Sequence, residues 1–357
     1  MQAQFLASVL MKPLSLFIIL CLFVVGNSNL FAQGDAPAFA IKLCGPEFGE
    51  KKMPGVYGVD YIYPNKAELQ YFQSKGFKLM DLPFKWERVQ PILGGPLDSV
   101  EMGRISNFLE LCDSLGLQAK LSMQNFGRYL LNGKEAVIGS PELPVTHFED
   151  VWTKLAMSWN GKQNLIGFQI MNEPHDMKEL PWFSIAQKAI DAIRSVNSSQ
   201  TIFVCGDSYA ATIDWKPNNP KIHELIDISD NLVYEAHCYF DKDLSGQYLN
   251  PSGTTINAYE HNAYGSKTGV QAVKPFIKWL KKYKKKGFIG EYGVPDDDPR
   301  WLTVLDKFLA YISENGVSGA YWAAGPWWGE YRLSVEPRNG QDRPQMKILE
   351  RYLFVLK

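Results

Sequence analysis

The sequence predicts an α/β protein with a single-domain (β/α)8 barrel, the TIM-barrel fold. Eight short apolar runs recur along the 357 residues, and stretches with helical periodicity alternate with them. Such an alternation is typical of parallel strands joined by crossover helices, and eight repeats over about 320 residues match the size of a closed barrel. Neither a linker nor a low-complexity segment interrupts the chain from Pro37 to Lys357, which indicates one domain.

The predicted elements follow one another in a regular order. The strands are Ala40–Cys44, Phe77–Leu82, Leu117–Met123, Leu165–Met171, Thr201–Cys205, Asn231–Tyr239, Phe288–Glu291 and Gly319–Ala323. Helical periodicity covers Val100–Ser114, Phe148–Trp159, Trp182–Ser195, Val270–Tyr283 and Trp301–Ser313. A doubly wound open sheet is the rival fold, but its first strand usually leads into a glycine-rich phosphate-binding turn. Here the first run leads into Gly45–Gly49 (GPEFG), which lacks that pattern, so the barrel is favoured.

Composition and charge restrict the partners. Hydrophobic residues make up 46% of the chain and charged residues 21%, and the net charge is -1. Proteins that bind nucleic acids or anionic membranes usually carry an excess of basic residues, so neither partner is expected here. A neutral polysaccharide or oligosaccharide is predicted as the partner instead. The chain is also predicted to be a monomer. The histidines show no metal-ligand spacing, so we assign neither a metal nor a cofactor. Four widely spaced cysteines are predicted to be buried free thiols: Cys44, Cys112, Cys205 and Cys238.

The N-terminus has the pattern of a secretory signal peptide. Lys12 precedes the apolar run Leu14–Gly26, and polar residues follow as far as Gln33. The run is shorter than the roughly 20 residues that a membrane-spanning helix needs. We therefore predict a signal peptide over residues 1–33, a folded domain over residues 34–357 and a secreted or periplasmic location. Because the cleavage site lacks a clean Ala-x-Ala pattern, an uncleaved anchor is the alternative.

Polar residues close several of the predicted strands. They are Asp81, Gln124, Asn125, Asn172, Glu173, His237, Tyr239, Glu291 and Trp322. In (β/α)8 barrels the chemistry takes place at the C-terminal ends of the strands, whereas a packed core does not require polar residues there. The sequence therefore predicts a catalytic site at this rim of the barrel.

Two of these residues are carboxylic acids that end the fourth and seventh strands. Strands four and seven lie across the barrel mouth, so Glu173 and Glu291 are expected to face each other. Retaining hydrolysis of a glycosidic bond uses a proton donor and a nucleophile about 5–5.5 Å apart, and the preceding Asn172 is able to donate to a sugar 2-hydroxyl group. We interpret Gly290 and Gly293 as space for the chain to turn and for a substrate to approach.

A series of short motifs surrounds these residues. In chain order they are Gly45–Gly49 (GPEFG), Leu82–Pro91 (LPFKWERVQP), Asn125–Tyr129 (NFGRY), Asn172–Pro174 (NEP), Tyr234–Tyr239 (YEAHCY), Gly290–Gly293 (GEYG) and Tyr321–Gly329 (YWAAGPWWG). Together they resemble glycoside hydrolase family 5, the family of many cellulases and mannanases. The resemblance covers nearly the whole chain after the N-terminal segment, and its last motif is most similar to endo-β-1,4-glucanases.

The resemblance implies a retaining endo-β-1,4-glucanase that acts by double displacement, with Glu173 as acid/base and Glu291 as nucleophile. It places Tyr239 against the nucleophile and Trp322 beneath the sugar at the point of cleavage. Substrate-binding or orienting roles are predicted for Asn172, His237, Tyr239, Trp322, Gln124 and Asn125, and Gln124 is included because its amide is able to hydrogen-bond a sugar hydroxyl group. A β-mannanase or another β-glycanase of the same family is the alternative.

Two residues depart from the family pattern. Asp81 stands where the second strand normally carries an arginine, and Gln124 stands where the third normally carries a histidine. The arginine ordinarily keeps the nucleophile ionised, whereas an aspartate at about 6 Å would repel it by on the order of 2–3 kcal/mol. Either Asp81 or Glu291 is then protonated near neutral pH, or another cation replaces the arginine, and Arg128 is the candidate. A glycan-binding protein with weak or lost activity is therefore the second functional hypothesis.

Overall fold

The computed structural model describes residues 37–262 and 264–353. The predicted signal peptide, residues 1–33, lies outside the described residues, as do both predicted ends of the folded domain. Within the described ranges, no helix combines the length and the apolar character that crossing a membrane requires.

A closed barrel of eight parallel strands forms the centre of the described chain. Its strands are β1 (Ala40–Leu43), β2 (Leu79–Phe84), β3 (Gln118–Met123), β6 (Leu165–Gln169), β7 (Thr201–Cys205), β8 (Leu232–His237), β9 (Gly287–Tyr292) and β10 (Ser318–Ala324). They are hydrogen bonded in the order β1-β10-β9-β8-β7-β6-β3-β2. Each of the eight apolar runs corresponds to one of these strands, so the (β/α)8 barrel is confirmed.

An antiparallel hairpin that was not among the predicted elements follows β3. It pairs β4 (Arg128–Leu131) with β5 (Lys134–Val137) and is separate from the barrel sheet. The chain reaches it through Phe126 and Gly127, both with positive φ, which turn the backbone sharply after the barrel strand. The hairpin therefore belongs to the loops above the C-terminal ends of the strands.

Helices connect the strands and bury their apolar faces. They are α1 (Lys66–Ser74), α2 (Trp86–Val89), α3 (Ser99–Ser114), α4 (Val145–Ser158), α5 (Trp182–Arg194), α6 (Trp215–Asn218), α7 (Thr268–Tyr283), α8 (Pro299–Glu314) and α9 (Met346–Leu353). The five predicted helices correspond to α3, α4, α5, α7 and α8. Although α1 was not predicted, it begins with a capping box, in which Asn65 and Glu68 satisfy each other's backbone N–H groups.

The interior of the barrel contains charged residues as well as apolar ones. Lys42, Asp81 and Lys120 are paired in register across β1, β2 and β3, so their side chains share the inner face of the sheet. Each of them, like Glu235 on β8, is 0% exposed. The four predicted cysteines are buried and free, as expected. Because a buried charge requires a partner, the barrel interior must be organised around ion pairs.

Gly290 provides space for a side chain of the barrel interior, and the expectation that it makes room for substrate was wrong. A Cβ atom at this position would lie 1.7 Å from Oε1 of Glu235. At Gly293 a Cβ atom would lie 2.2 Å from the carbonyl oxygen of Trp322, so this glycine permits close packing of β9 against β10. Both glycines are required by packing between neighbouring strands.

Gly290→Ala is therefore expected to destabilise the protein by about 1–3 kcal/mol or more, because the new methyl group displaces a buried carboxylate. The matched control is Gly103→Ala on α3, where the new Cβ meets nothing within 4 Å. That control should raise stability by about 0.5–1 kcal/mol, since alanine is the better helix former. Denaturant unfolding of both variants measures the difference, and an unchanged midpoint for Gly290→Ala would contradict this account.

Candidate active site

The loop after β6 places two predicted residues at the barrel mouth. Beyond the end of β6, the backbone N–H of Ile170 still donates to Phe203 O at 3.1 Å, and that of Asn172 donates to Met123 O at 2.7 Å. The backbone of Glu173 then has a φ of +46°, a left-handed conformation that is uncommon for residues other than glycine. The strand pairing thus holds Asn172 at the rim, and the turn directs Glu173 over the opening.

Glu173 and Glu291 face each other at this mouth. One oxygen of each carboxylate and one ring nitrogen of His237 all lie within 4.8 Å of one another. Nδ1 of His237 lies 2.6 Å from Glu173 Oε1 and 3.6 Å from Glu291 Oε2, so the imidazole bridges the pair. The separation of the carboxylates agrees with the short spacing of retaining enzymes and is below the roughly 6.5–9.5 Å of inverting enzymes.

Each oxygen of Glu291 has its own donor. Tyr239 OH donates to Oε2 at 2.9 Å, and Lys42 Nζ donates to Oε1 at 2.9 Å. Burial acts to raise the pKa of Glu291, but the positive charges of His237 and Lys42 outweigh it and lower the pKa to about 2. Glu291 is therefore a carboxylate near neutral pH.

The electrostatic setting of Glu173 has the opposite effect. Its burial and the nearby negative charge of Glu291 raise its pKa, and the hydrogen bond and charge of His237 oppose that rise only in part. Glu173 thus favours its protonated form, whereas the neighbouring Glu291 favours its ionised form. This division is the one that acid catalysis beside a nucleophile requires.

His237 and Lys42 supply the positive charge beside Glu291, and the assignment of that role to Arg128 was wrong. Arg128 instead donates to the carbonyl oxygen of His175 at 2.9 Å, and it lies 3.7 Å from a carboxylate oxygen of Glu135. Lys42 was not among the predicted site residues because it stands inside an apolar run. A lysine within a short buried strand is itself a signal, because its ammonium group needs a buried counter-ion.

Asp81 does not face Glu291 as an unopposed like charge. Lys120 Nζ lies 3.0 Å from Asp81 Oδ2, and Ser122 donates to the other oxygen of Asp81 at 2.5 Å. Lys120 also lies 3.0 Å from Glu235, whose second partner is Gln169 at 2.7 Å. The predicted repulsion between Asp81 and Glu291 is therefore offset, because each of these carboxylates has a cationic partner.

The remaining predicted residues differ in their placement. Asn172 is fully buried, and its Nδ2 finds no partner among the described residues, so a donor is left for a ligand. Gln124 lines the groove described below. Asn125 accepts from the backbone of Trp86 at 2.8 Å and donates to Glu87 at 2.7 Å. Its amide is therefore used within the protein, which argues against the predicted substrate contact.

An aromatic groove of about 560 Å³ is lined in part by Gln124 and Trp322, two of the predicted site residues, whereas neither Glu173 nor Glu291 is among its lining residues. Its aromatic lining residues are Phe48, Phe126, Trp322 and Trp328. The indole N–H of Trp322 donates to Tyr331 OH at 3.0 Å, which fixes the orientation of the ring. Flat, oriented rings offer an apolar face against which the C–H face of a sugar can stack.

Two sets of side chains in the described residues have ligand atoms close enough to hold a metal ion. They are Glu173 with His237 and Glu291, and Cys205 with Glu235 and His237. Lys42 lies 2.9 Å from Glu291 and Lys120 lies 3.0 Å from Glu235, so an ammonium group already neutralises a carboxylate in each set. A divalent cation would be repelled by these lysines, and the residues do not fit a metal centre.

The fold and the site together define a class of protein: barrel glycoside hydrolases that carry paired carboxylates at the C-terminal ends of their strands. The family model described as Cellulase (glycosyl hydrolase family 5) matches residues 41–327. This chain belongs to glycosyl hydrolase family 5.

Individual relatives are similar over most of their length. Endo-beta-1,4-glucanase B of Emericella nidulans is 34% identical over 306 residues, which cover 85% of this chain and 87% of that protein. The Pseudomonas stutzeri endoglucanase Cel5A in complex with cellobiose is 39% identical, with a TM-score of 0.82 and coverage of 90% and 94%. The endo-beta-1,4-glucanase Xac0029 of Xanthomonas axonopodis pv. citri is 31% identical, with a TM-score of 0.80 and coverage of 89% and 98%.

Proposed function

We propose that this protein is a retaining endo-β-1,4-glucanase in which Glu173 is the acid/base and Glu291 is the nucleophile. The observation that carries the proposal is the pair of carboxylates with oxygens within 4.8 Å and pKa values shifted in opposite directions. The names of the relatives support β-1,4-glucan as the substrate.

In the first step Glu291 attacks the anomeric carbon while Glu173 gives its proton to the glycosidic oxygen. The bond from the anomeric carbon to the leaving oxygen breaks, and an ester forms between the sugar and Glu291. Asn172 donates to the sugar 2-hydroxyl group through its free Nδ2, a contact that strengthens in the transition state.

In the second step Glu173 acts as a base. It takes a proton from water, whose oxygen attacks the anomeric carbon from the side that the leaving group occupied, and the ester bond to Glu291 breaks. His237 bridges both carboxylates and Tyr239 holds Glu291, so neither acid has to reorient between the steps. Two inversions leave the product with the β configuration of the substrate.

The test is the product profile on a panel of soluble cellulose derivative, mixed-linkage glucan, glucomannan and mannan. We expect β-1,4-glucan to be cut internally, so that viscosity falls well before most reducing ends appear. Proton NMR of the first products should show the β anomer before mutarotation. An α anomer formed first would contradict the retaining mechanism, and preference for pure mannan would favour the mannanase alternative.

The structure weakens the case for a glycan-binding protein without activity. That hypothesis depended on repulsion between Asp81 and Glu291, whereas Lys42 lies 4.0 Å from the first and 2.9 Å from the second. Binding to glucan without release of reducing ends would nevertheless restore it.

Export and a monomeric state remain predictions. We propose that the N-terminal segment directs the protein out of the cytoplasm and is removed. N-terminal sequencing of protein recovered outside the cytoplasm tests cleavage, and light scattering of the purified protein tests the monomer.

A further inference from the structure

Lys42 is a wholly enclosed lysine that faces the reacting groups. Its side chain is 0% exposed. Nζ lies 2.9 Å from Glu291 Oε1, 3.4 Å from Asn172 Oδ1 and 4.0 Å from Asp81 Oδ2. One ammonium group therefore contacts two residues of the proposed reaction, on β9 and on the loop after β6, and approaches a carboxylate on β2.

The contact with Asn172 determines which end of the amide is available to a ligand. Oδ1 of Asn172 receives hydrogen from Lys42 and, at 3.0 Å, from Nε2 of Gln169. An ammonium group is only a donor, so the amide oxygen must face it and the NH2 group must point away. Lys42 thus orients the donor of Asn172 as well as the carboxylate of Glu291.

The charges around Lys42 explain how it remains protonated inside the barrel. Burial acts to lower its pKa, but the carboxylates of Glu291, Asp81 and Glu235 outweigh that effect and raise it above the usual value. Lys120 is the neighbouring cation, and it is engaged by Asp81 and Glu235 at 3.0 Å each. Lys42 is consequently the lysine whose closest ion pair is with Glu291.

We propose that Lys42 is a positioning residue for the reaction: its ammonium group keeps Glu291 ionised and aimed, and it turns the amide of Asn172 towards the substrate. The proposal rests on the proposed function, in which Glu291 is the nucleophile. Asp81 lies 4.0 Å from Lys42 but has its own cation in Lys120 at 3.0 Å, so Glu291, at 2.9 Å, is the carboxylate that Lys42 holds most closely.

Lys42→Gln tests the charge, because an amide can still donate a hydrogen bond to Glu291. We expect kcat to fall about 100-fold, as for the loss of one preorganised donor, with a much smaller change in KM. In the pH profile of kcat/KM, the acid limb should move to higher pH by about one to two units, because Glu291 loses a neighbouring positive charge and takes up a proton more readily. Lys42→Arg, which retains the charge, should restore the acid limb and part of kcat.

Lys120→Gln is the matched control: the same substitution at a lysine that is also 0% exposed but whose ion pairs are with Asp81 and Glu235. It should lower thermal stability and leave the acid limb close to that of the wild type. Should Lys42→Gln fail to fold, Lys42→Met keeps an unbranched side chain of nearly the same length and removes the charge. An acid limb that is identical in the wild type and in the uncharged Lys42 variants would overturn the proposal.

The ionisation of Glu291 can also be followed without substrate. Carbon NMR titration of labelled glutamate carboxyl groups, with the signal of Glu291 assigned through Glu291→Gln, should show a higher pKa in Lys42→Gln than in the wild type. A wild type that cuts no β-glucan would overturn the proposed function alone. A Glu291 titration unaffected by Lys42→Gln would overturn the role of Lys42.

Discussion

Glu291→Ala is expected to lower kcat on β-1,4-glucan by on the order of 10⁵-fold, because covalent catalysis loses its nucleophile. The carboxylate is 4% exposed and held by Tyr239 and Lys42, so no other acid can move into its place easily. Reducing-end release and single-turnover rates measure the loss, and circular dichroism verifies the fold.

Azide identifies the role of the missing group. With an activated aryl β-cellobioside, azide should enter the space left by the carboxylate of Glu291 and yield the α-glycosyl azide, since only one inversion takes place. Glu330→Ala is the control, because this side chain is 89% exposed and pairs with Arg338 at the surface. A Glu291→Ala variant with near wild-type activity would contradict the assignment.

Glu173→Ala should have an effect that depends on the leaving group. On polysaccharide, whose leaving oxygen needs a proton, we expect a loss of about 10²–10⁴-fold, the usual contribution of general acid catalysis. On aryl glycosides with very acidic leaving groups the first step needs no proton, so the glycosyl–enzyme should form quickly and accumulate. A burst of released phenol in stopped-flow measurements is the expected sign.

The same variant should also lose the alkaline limb of its pH profile for bond cleavage. The pKa of Glu173 is raised, so in the wild type its proton is retained at higher pH than an ordinary glutamic acid allows and is lost as the pH rises further. Azide should yield the β-glycosyl azide, because it attacks the intermediate from the face that water normally uses. Equal losses on both kinds of substrate would argue that Glu173 is not the proton donor.

Much of the fold was predictable because a barrel strand is a local pattern. Runs such as Thr201–Cys205 are short, apolar and β-branched, and the strands they predict agree closely with those observed. The hairpin of β4 and β5 was missed, since its strands are short and only partly buried. Glu173 and Glu291 were predictable as a pair because the barrel places the ends of its strands on one rim.

The interior ion pairs were not predictable in the same way. A sequence shows that Lys42, Asp81 and Lys120 lie in apolar strands, but their pairing depends on the register of three neighbouring strands. The same holds for Gly290, whose missing side chain is required by Glu235 on the adjacent strand. Arg128 was predicted as the cation beside Glu291 from its residue type, but in the structure its guanidinium group donates to the carbonyl oxygen of His175.

The sequence by itself therefore determined the eightfold barrel and the two acids at its mouth, since both follow from the local pattern of apolar runs and the residues that end them. Only the tertiary structure decided that Lys42 is the lysine paired with Glu291 and that the negative charge of Asp81 is balanced by Lys120. The physical reason is that electrostatic interactions in a buried site depend on distances of a few ångströms between residues far apart in the chain, and the closure of the barrel sets those distances.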